Sequence, residues 1–197
     1  MYIKFVLACA IFLYVHRFSD ALIINGYYWR VFDGEIPHDA VIAGSDVNGL
    51  PVYIGQILYG DKLLPAKIYY NDNKAYFAWG TEQSSDSNVK ILCSPTPEKL
   101  QWVKTKKNEV HMFINKHLIS GGYEPSYTIY IGRSFYKGET LPGRVRTGER
   151  ASQNLGLYIS SIGKEIIFDS FEILTYEPDA VEVTTEHCHK AALLMHN

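Results

Sequence analysis

What the chain lacks narrows it first. It has no run of the roughly 20 apolar residues that a membrane-spanning helix needs; one apolar run, Phe5 to Val15, covers eleven. It lacks an excess of charge of either sign. A formal net charge of −2 gives no bulk attraction to nucleic acid or to an anionic membrane. Cysteine is scarce, at three residues. After residue 21 there is no Asn-x-Ser/Thr sequon, so N-glycosylation is not expected. No nucleophile elbow, phosphate-cradling glycine loop or zinc-protease helix appears, which argues against an enzyme. Asp169 with Glu165 or Glu172 could form a carboxylate pair, but these read as solvent-facing strand positions. Between 22 and 177 no stretch sustains a helical period.

What is present falls into parts. Met1 to Lys4 carries one positive charge, Phe5 to Val15 is apolar, and Ser19-Asp20-Ala21 is a small-x-small site. That layout is a secretory signal peptide over 1–21. Cys9 would leave with it, and Cys93 and Cys188 would remain. They could pair in an oxidising compartment, and the sequence leaves the matter open. Residues 178–197 read as a polar tail. Its His187-Cys188-His189 lacks the second ligand pair of a closed zinc site, so no metal and no cofactor is expected.

The body between is written twice. Pro51 to Lys67, PVYIGQILYGDKLLPAK, returns at Thr128 to Arg144 as TIYIGRSFYKGETLPGR, at a constant offset of 77. Gly44 matches Gly121 at the same offset, Trp29 matches Trp102, and Val89 to Leu92 matches Phe171 to Leu174. The expected units are 26–99 and 100–177. Pro51 to Ile57, Lys67 to Tyr70, Ala75 to Trp79, Thr128 to Phe135, Tyr158 to Ser160, Glu165 to Phe168 and Phe171 to Thr175 read as strands, being rich in β-branched and aromatic residues. Asp46 to Gly49, Tyr59 to Asp61, Asn71 to Asn73 and Lys137-Gly138 supply turns. The fold class is all-β, with two tandem repeat units packed about a pseudo-two-fold axis. Gly55 and Gly132 suggest bulges or close backbone approach, and Pro65 and Pro142 should end loops at strand edges.

The motifs Trp29, Ile36-Pro37, Ala40-Val41, Gly44, Asp46, Gly49, Pro51, Tyr53, Gly55, Leu64 to Lys67, Gly80 and Glu82 form one series. It is echoed by Gly121-Gly122, Tyr130 to Arg133 and Leu141 to Arg144. The series resembles the DM-nine repeat family over residues 28–176. The resemblance implies one compact β body and carbohydrate recognition, since members include mannose-binding lectins of invertebrate immunity. In those, an Asp in the turn and a Lys after the proline hold the sugar. The matching residues here are Asp46 and Lys67, 21 positions apart. The chemistry agrees. A carboxylate accepts bonds from neighbouring sugar hydroxyls and an ammonium donates, each charged bond contributing about 1.5–3 kcal/mol. Tyr69, Tyr70, Tyr76 and Trp79 lie close by to cover a pyranose face. Asp46 also reads as a plain turn former, and Lys67 as a solvated edge charge.

In the second copy Tyr123 stands at the Asp46 position and Arg144 at the Lys67 position, with Glu124 one place off. Either the second copy has lost its site, or Glu124 and Arg144 make a different one. Ala66 for the family's Gly, and Gln56 for its Arg, are mild departures. The resemblance implies a secreted, lectin-like protein of innate immunity that binds mannose-type glycans on microbial or host surfaces. Weak single-site affinity would be offset by dimers or higher oligomers. The alternative is a non-catalytic, non-sugar interaction protein of an infection response, associated with vesicles. Some family members are intracellular proteins of that kind, and the signal peptide favours the first reading.

Overall fold

The computed structural model describes residues 26–178. The signal peptide over 1–21, the tail beyond 178 and any Cys93–Cys188 bridge therefore lie outside the described residues. The structure is nearly all strand. In chain order β1 is Tyr28–Val31, β2 Ile42–Ser45, β3 Pro51–Tyr59, β4 Lys62–Tyr69, β5 Ala75–Trp79, β6 Thr81–Ser85 and β7 Val89–Cys93. Then follow β8 Leu100–Lys106, β9 His117–Leu118, β10 Ser120–Glu124, β11 Tyr127–Tyr136, β12 Glu139–Thr147, β13 Gly156–Ser161, β14 Lys164–Phe168 and β15 Ser170–Tyr176. The described helical elements are short 3-10 turns at Pro97–Lys99, Lys107–Met112 and Ala151–Gln153.

These strands form one antiparallel hydrogen-bonded sheet ordered β1-β7-β3-β4-β5-β6-β14-β13-β12-β11-β15-β8. Strands with matched sequence take matched places, with β3 and β11, and β4 and β12, equally far from the centre. The two sides meet where Lys164 of β14 pairs with Thr81 of β6. The short strands cross over. β2 pairs with β3 and lies against β12, while β10 pairs with β11 and touches β4 at Leu63.

The crossings explain the glycines. A Cβ on Gly44 would stand 2.2 Å from the Thr140 carbonyl oxygen, and one on Gly121 would stand 2.6 Å from Pro65 Cγ. Each glycine lets its strand lie on a strand from the other copy. Gln56 Nε2 donates to the Gly121 carbonyl at 2.8 Å, and Arg133 Nη1 donates to the Ala43 carbonyl at 2.7 Å. The side chain at the same place in each copy thus satisfies a crossing backbone. The register shifts fall in β2 and β10, between Ile42 and Gly44 and between Ser120 and Gly122. Gly55 and Gly132 stay in register, and of the two alternatives they show close approach: Gly132 would meet Val145 Cγ2 at 2.5 Å.

The prolines need a correction. Pro65 and Pro142 sit inside β4 and β12, opposite Gln56 and Arg133, rather than at strand entries. On its other side β4 meets β10 at Leu63 and β5 at Lys67 and Ile68, so Pro65 falls where no ladder N–H is required. Pro142 likewise precedes the stretch of β12, Arg144 to Arg146, that pairs with β13.

The apolar run of β3 is buried on both faces. Tyr53 and Ile57 join one core cluster, Val52 joins another, and Ile54 enters a third. That third cluster holds Ile54 and Ile131, the same phrase position in the two copies, both fully buried. Burying such side chains contributes about 1.5–3 kcal/mol each. Replacing Gly44 or Gly121 by Ala should lower unfolding free energy by about 2 kcal/mol or more, because backbone or ring must move. Gly60→Ala meets open space at φ +61° and should cost about 1 kcal/mol. Denaturant titration of the three variants checks the ranking, which fails if Gly60→Ala is the worst.

Candidate functional site

Asp46 begins the turn between β2 and β3. Its Oδ1 accepts the N–H groups of Asn48 and Leu50, both at 2.8 Å. Its own N–H donates to the Leu50 carbonyl, and Gly49, at φ +81°, closes the turn by donating to the Asp46 carbonyl. One carboxylate oxygen is therefore committed. Oδ2 takes no hydrogen bond among the described residues and stands on a solvent-reached turn as a held acceptor. Tyr69, opposite Val52 in the β3–β4 ladder, lies close enough to feel the Asp46 charge. Burial, then Glu139, then Glu82 and Asp46 raise the Tyr69 phenol above its ordinary range.

Lys67 is inside. Its side chain is 1% exposed, and the ammonium reaches Glu82 Oε1 at 2.9 Å and the Ser160 carbonyl at 2.7 Å. The rings of Tyr69 and Tyr76 flank it at 5.0 and 5.9 Å. A solvated edge charge is the wrong description of this lysine. It sits behind Tyr69, and its charge is neutralised internally. A buried ammonium needs such partners, since desolvating an unpaired charge is prohibitive. Tyr76 is itself held by Asp72 at 2.8 Å, and its phenol is pushed up to about 12, by burial first and Asp72 second.

Glu82 is the partner that the sequence showed only as a motif letter. Burial alone would raise its carboxyl. The Gly163 N–H at 2.8 Å and the Lys67 ammonium outweigh that and hold it below the ordinary range. In the second copy Glu165 bonds Arg144 Nη2 at 3.0 Å and accepts the Gly80 N–H at 3.2 Å. Each glutamate therefore pairs with its own copy's cation and caps the turn glycine of the other copy. Glu165 is not solvent-facing; its side chain is 15% exposed. The signal available in the sequence was the Gly-x-Glu spacing, Gly80 to Glu82 and Gly163 to Glu165, present twice.

The structure does bring Glu124 and Arg144 together, at 3.2 Å with both side chains 4% exposed. Arg146 Nε lies 2.6 Å from the other Glu124 oxygen. The guanidiniums interleave with rings: Arg144 lies between Trp79 and Tyr158 at 4.8 and 4.9 Å, and Arg146 lies over Tyr127 at 4.3 Å. Burial lowers the Arg144 pKa, with Glu124 and Glu165 opposing. Trp79 thus serves the other copy's arginine, while Tyr70 is exposed and Tyr69 and Tyr76 guard Lys67. Tyr123 is 57% exposed where the first copy has its turn carboxylate. A cavity of about 340 Å³ opens there, lined by Tyr123, Glu124, Tyr127 and Thr147. Among the described residues no cluster of His, Cys, Asp or Glu could hold a metal ion. No described helix is long and apolar enough to cross a membrane.

An all-β body with a carboxylate held on a turn and two buried cations, each paired with carboxylates, is the class that this geometry defines. The DM9 repeat family model matches residues 46–153, and the chain belongs to that family. No curated protein matches the chain. Among solved structures it is similar in fold to the nematode sperm cell motility protein MFP2B, at 13% identity and a TM-score of 0.52. That likeness covers 79% of this chain and 47% of the other, so the chain spans about half the length of that protein.

Lys67→Ala should cost about 3–5 kcal/mol, because it strands the Glu82 carboxylate. A Lys67→Met, Glu82→Leu double variant should lose far less, and urea titration distinguishes them. The depressed Glu82 pKa also has a sign. Its contribution is present above the unfolded value, about 4.3, and is lost as pH falls through the folded value. Glu82→Gln should therefore flatten the acid limb of the stability curve; an unchanged limb would assign that loss to other carboxylates.

Proposed function

We propose that this is a secreted, lectin-like protein that binds mannose-type glycans in innate recognition, with Asp46 as the sugar-contacting group. The observation that carries the reading is the held carboxylate: Oδ1 locked by two backbone N–H groups, Oδ2 without a hydrogen bond among the described residues, Tyr69 near enough to feel its charge. A fixed acceptor loses little freedom on binding, and one carboxylate oxygen can take two hydroxyl protons of a pyranose. Membership of the DM9 family supports the same reading. Lys67 then acts indirectly, as a buried cation against the Tyr69 ring; direct donation to a sugar would require it to leave Glu82 or Ser160. Glu124 and Arg144 bind each other, which favours the first copy as the mannose site. Binding rather than catalysis is the activity proposed, and assembly of several chains would raise a weak single-site affinity.

Asp46→Asn is the informative variant. It keeps the Oδ1 acceptor and hence the turn, and replaces the charged Oδ2 acceptor by a neutral amide donor. Binding of purified protein to a glycan array rich in mannose should fall about tenfold or more, since a hydrogen bond to a charged acceptor, worth about 1.5–3 kcal/mol, is lost. The melting temperature should hold. Full binding by Asp46→Asn would move the site to the cavity at Tyr123 and Glu124. No glycan bound by the folded protein would sink the lectin reading in favour of a non-sugar interaction protein.

A further inference from the structure

A second groove lies where β8, β15, β11 and β12 present one face and β2 crosses it at Gly44, two residues before Asp46. Its volume is about 690 Å³, and its lining includes Lys104, Lys106, Arg133, Phe135, Thr140 and Glu172. Lys104, Glu172 and Arg133 form one row across three paired strands. The corresponding row in the first copy is Val31, Lys90 and Gln56, paired in the same way. Both rows complete the same sheet, so the fold does not require the charges of the second. Gln56 and Arg133 each donate to a crossing carbonyl, yet the arginine brings more than that bond uses.

Arg133 is held rigidly. Its Nε donates to Glu172 at 2.6 Å, Nη1 donates to Ala43, and the guanidinium carbon lies 4.4 Å over the Trp102 ring. Its Nη2 takes no partner among the described residues. Lys104 is exposed and has no ion pair among the described residues, and Lys106 lies 4.0 Å from Glu109. Glu172 is spent on Arg133. The groove thus keeps the Lys104 ammonium and the Arg133 Nη2 edge as unspent positive donors, while Lys106 faces Glu109, a carboxylate that also lines the groove; beside them Phe135 is a ring 69% exposed. A pre-organised guanidinium edge suits carboxylate or sulfate oxygens, and the open ring suits the apolar face of a sugar.

We infer that this groove binds an anionic saccharide, through uronate carboxylates or sulfate groups. The inference rests on the carbohydrate reading only for the choice of a sugar chain as the carrier of the charge. The test uses the full chain with two probes, a heparin-derived oligosaccharide and oligogalacturonate, titrated calorimetrically at low and high salt. Binding should weaken about tenfold or more in a Lys104→Glu, Lys106→Glu variant, because charged contacts are lost, and should weaken with salt. Phe135→Ala should also weaken it. Arg133→Gln places the first copy's residue in the row; it should fold, by melting, and lose most of the binding. Lys74→Glu, on the exposed turn before β5, should leave binding as it was.

Losses from Lys74→Glu equal to those from the groove lysines would overturn the inference as diffuse charge attraction. Equal binding of polyglutamate would overturn the saccharide assignment, and silence from both probes would overturn the site. Mannose-glycan binding measured on the same samples separates the two readings. Anionic binding without mannose binding sustains the groove and removes the Asp46 proposal; the reverse removes the groove and leaves Asp46.

Discussion

A cation buried in a β layer must be neutralised where it lies, and the rest of this structure is arranged around that requirement. Lys67 and Arg144 occupy the same phrase position in the two copies and point into the interior. Water cannot solvate them, so each needs a carboxylate at hydrogen-bond distance. Glu82 and Glu165 meet the need and also accept turn N–H groups: Glu82 takes Lys67 on Oε1 and the Gly163 N–H on Oε2, while Glu165 takes Arg144 and the Gly80 N–H on the same Oε2. A glutamate that binds its own copy's cation and a backbone N–H of the other copy ties neutralisation to assembly. Neither copy could keep its cation buried in the same way if the other were displaced. The crossings of β2 and β10 add to the tie with apolar contacts and with the carbonyls taken by Arg133 and Gln56.

Given that frame, the two copies are free to differ at the surface. The first copy has a carboxylate on its β2–β3 turn; the second has Tyr123 there, and its nearby Glu124 is consumed by two arginines. The second copy has a charged row across β8, β15 and β11; the first has Val31, Lys90 and Gln56. The core positions change little, Ile54 with Ile131 and Gly44 with Gly121, because each packs against a strand of the other copy. Surface chemistry is not constrained by that packing. A duplicated β body can therefore hold different surface chemistry on its two halves while keeping one interior.

Much of this was legible in the sequence. Ala75 to Trp79 is a strand over those very residues, and the turns at Gly49, Gly60 and Lys137-Gly138 fall where glycine and asparagine chemistry placed them. Lys62 to Ala66 was missed as strand because a proline reads as a break; the proline is tolerated because that side of β4 has no ladder partner there. Asp46 was legible as a turn former and as a charged acceptor, and its local hydrogen bonds serve both descriptions. Lys67 was not legible as buried. Its immediate neighbours in the chain do not neutralise it, and the groups that do, Glu82 and the Ser160 carbonyl, come from other strands. Trp79 was read beside Tyr69 and Tyr76 for the same reason, since proximity in sequence says nothing of which copy's cation a ring covers.

By itself the sequence determined the all-β class, the doubling of the phrase and the residues that differ between its copies. These follow from local rules: side-chain alternation, turn chemistry and repetition at a fixed offset are properties of short stretches. Only the tertiary structure decided which carboxylate meets which cation, which glycine permits a crossing, and which charged groups remain unspent at the surface. Those are pairings across dozens of residues. They are set by the simultaneous demand that every buried charge and every crossing backbone find a partner, a demand that no single stretch of the chain can satisfy.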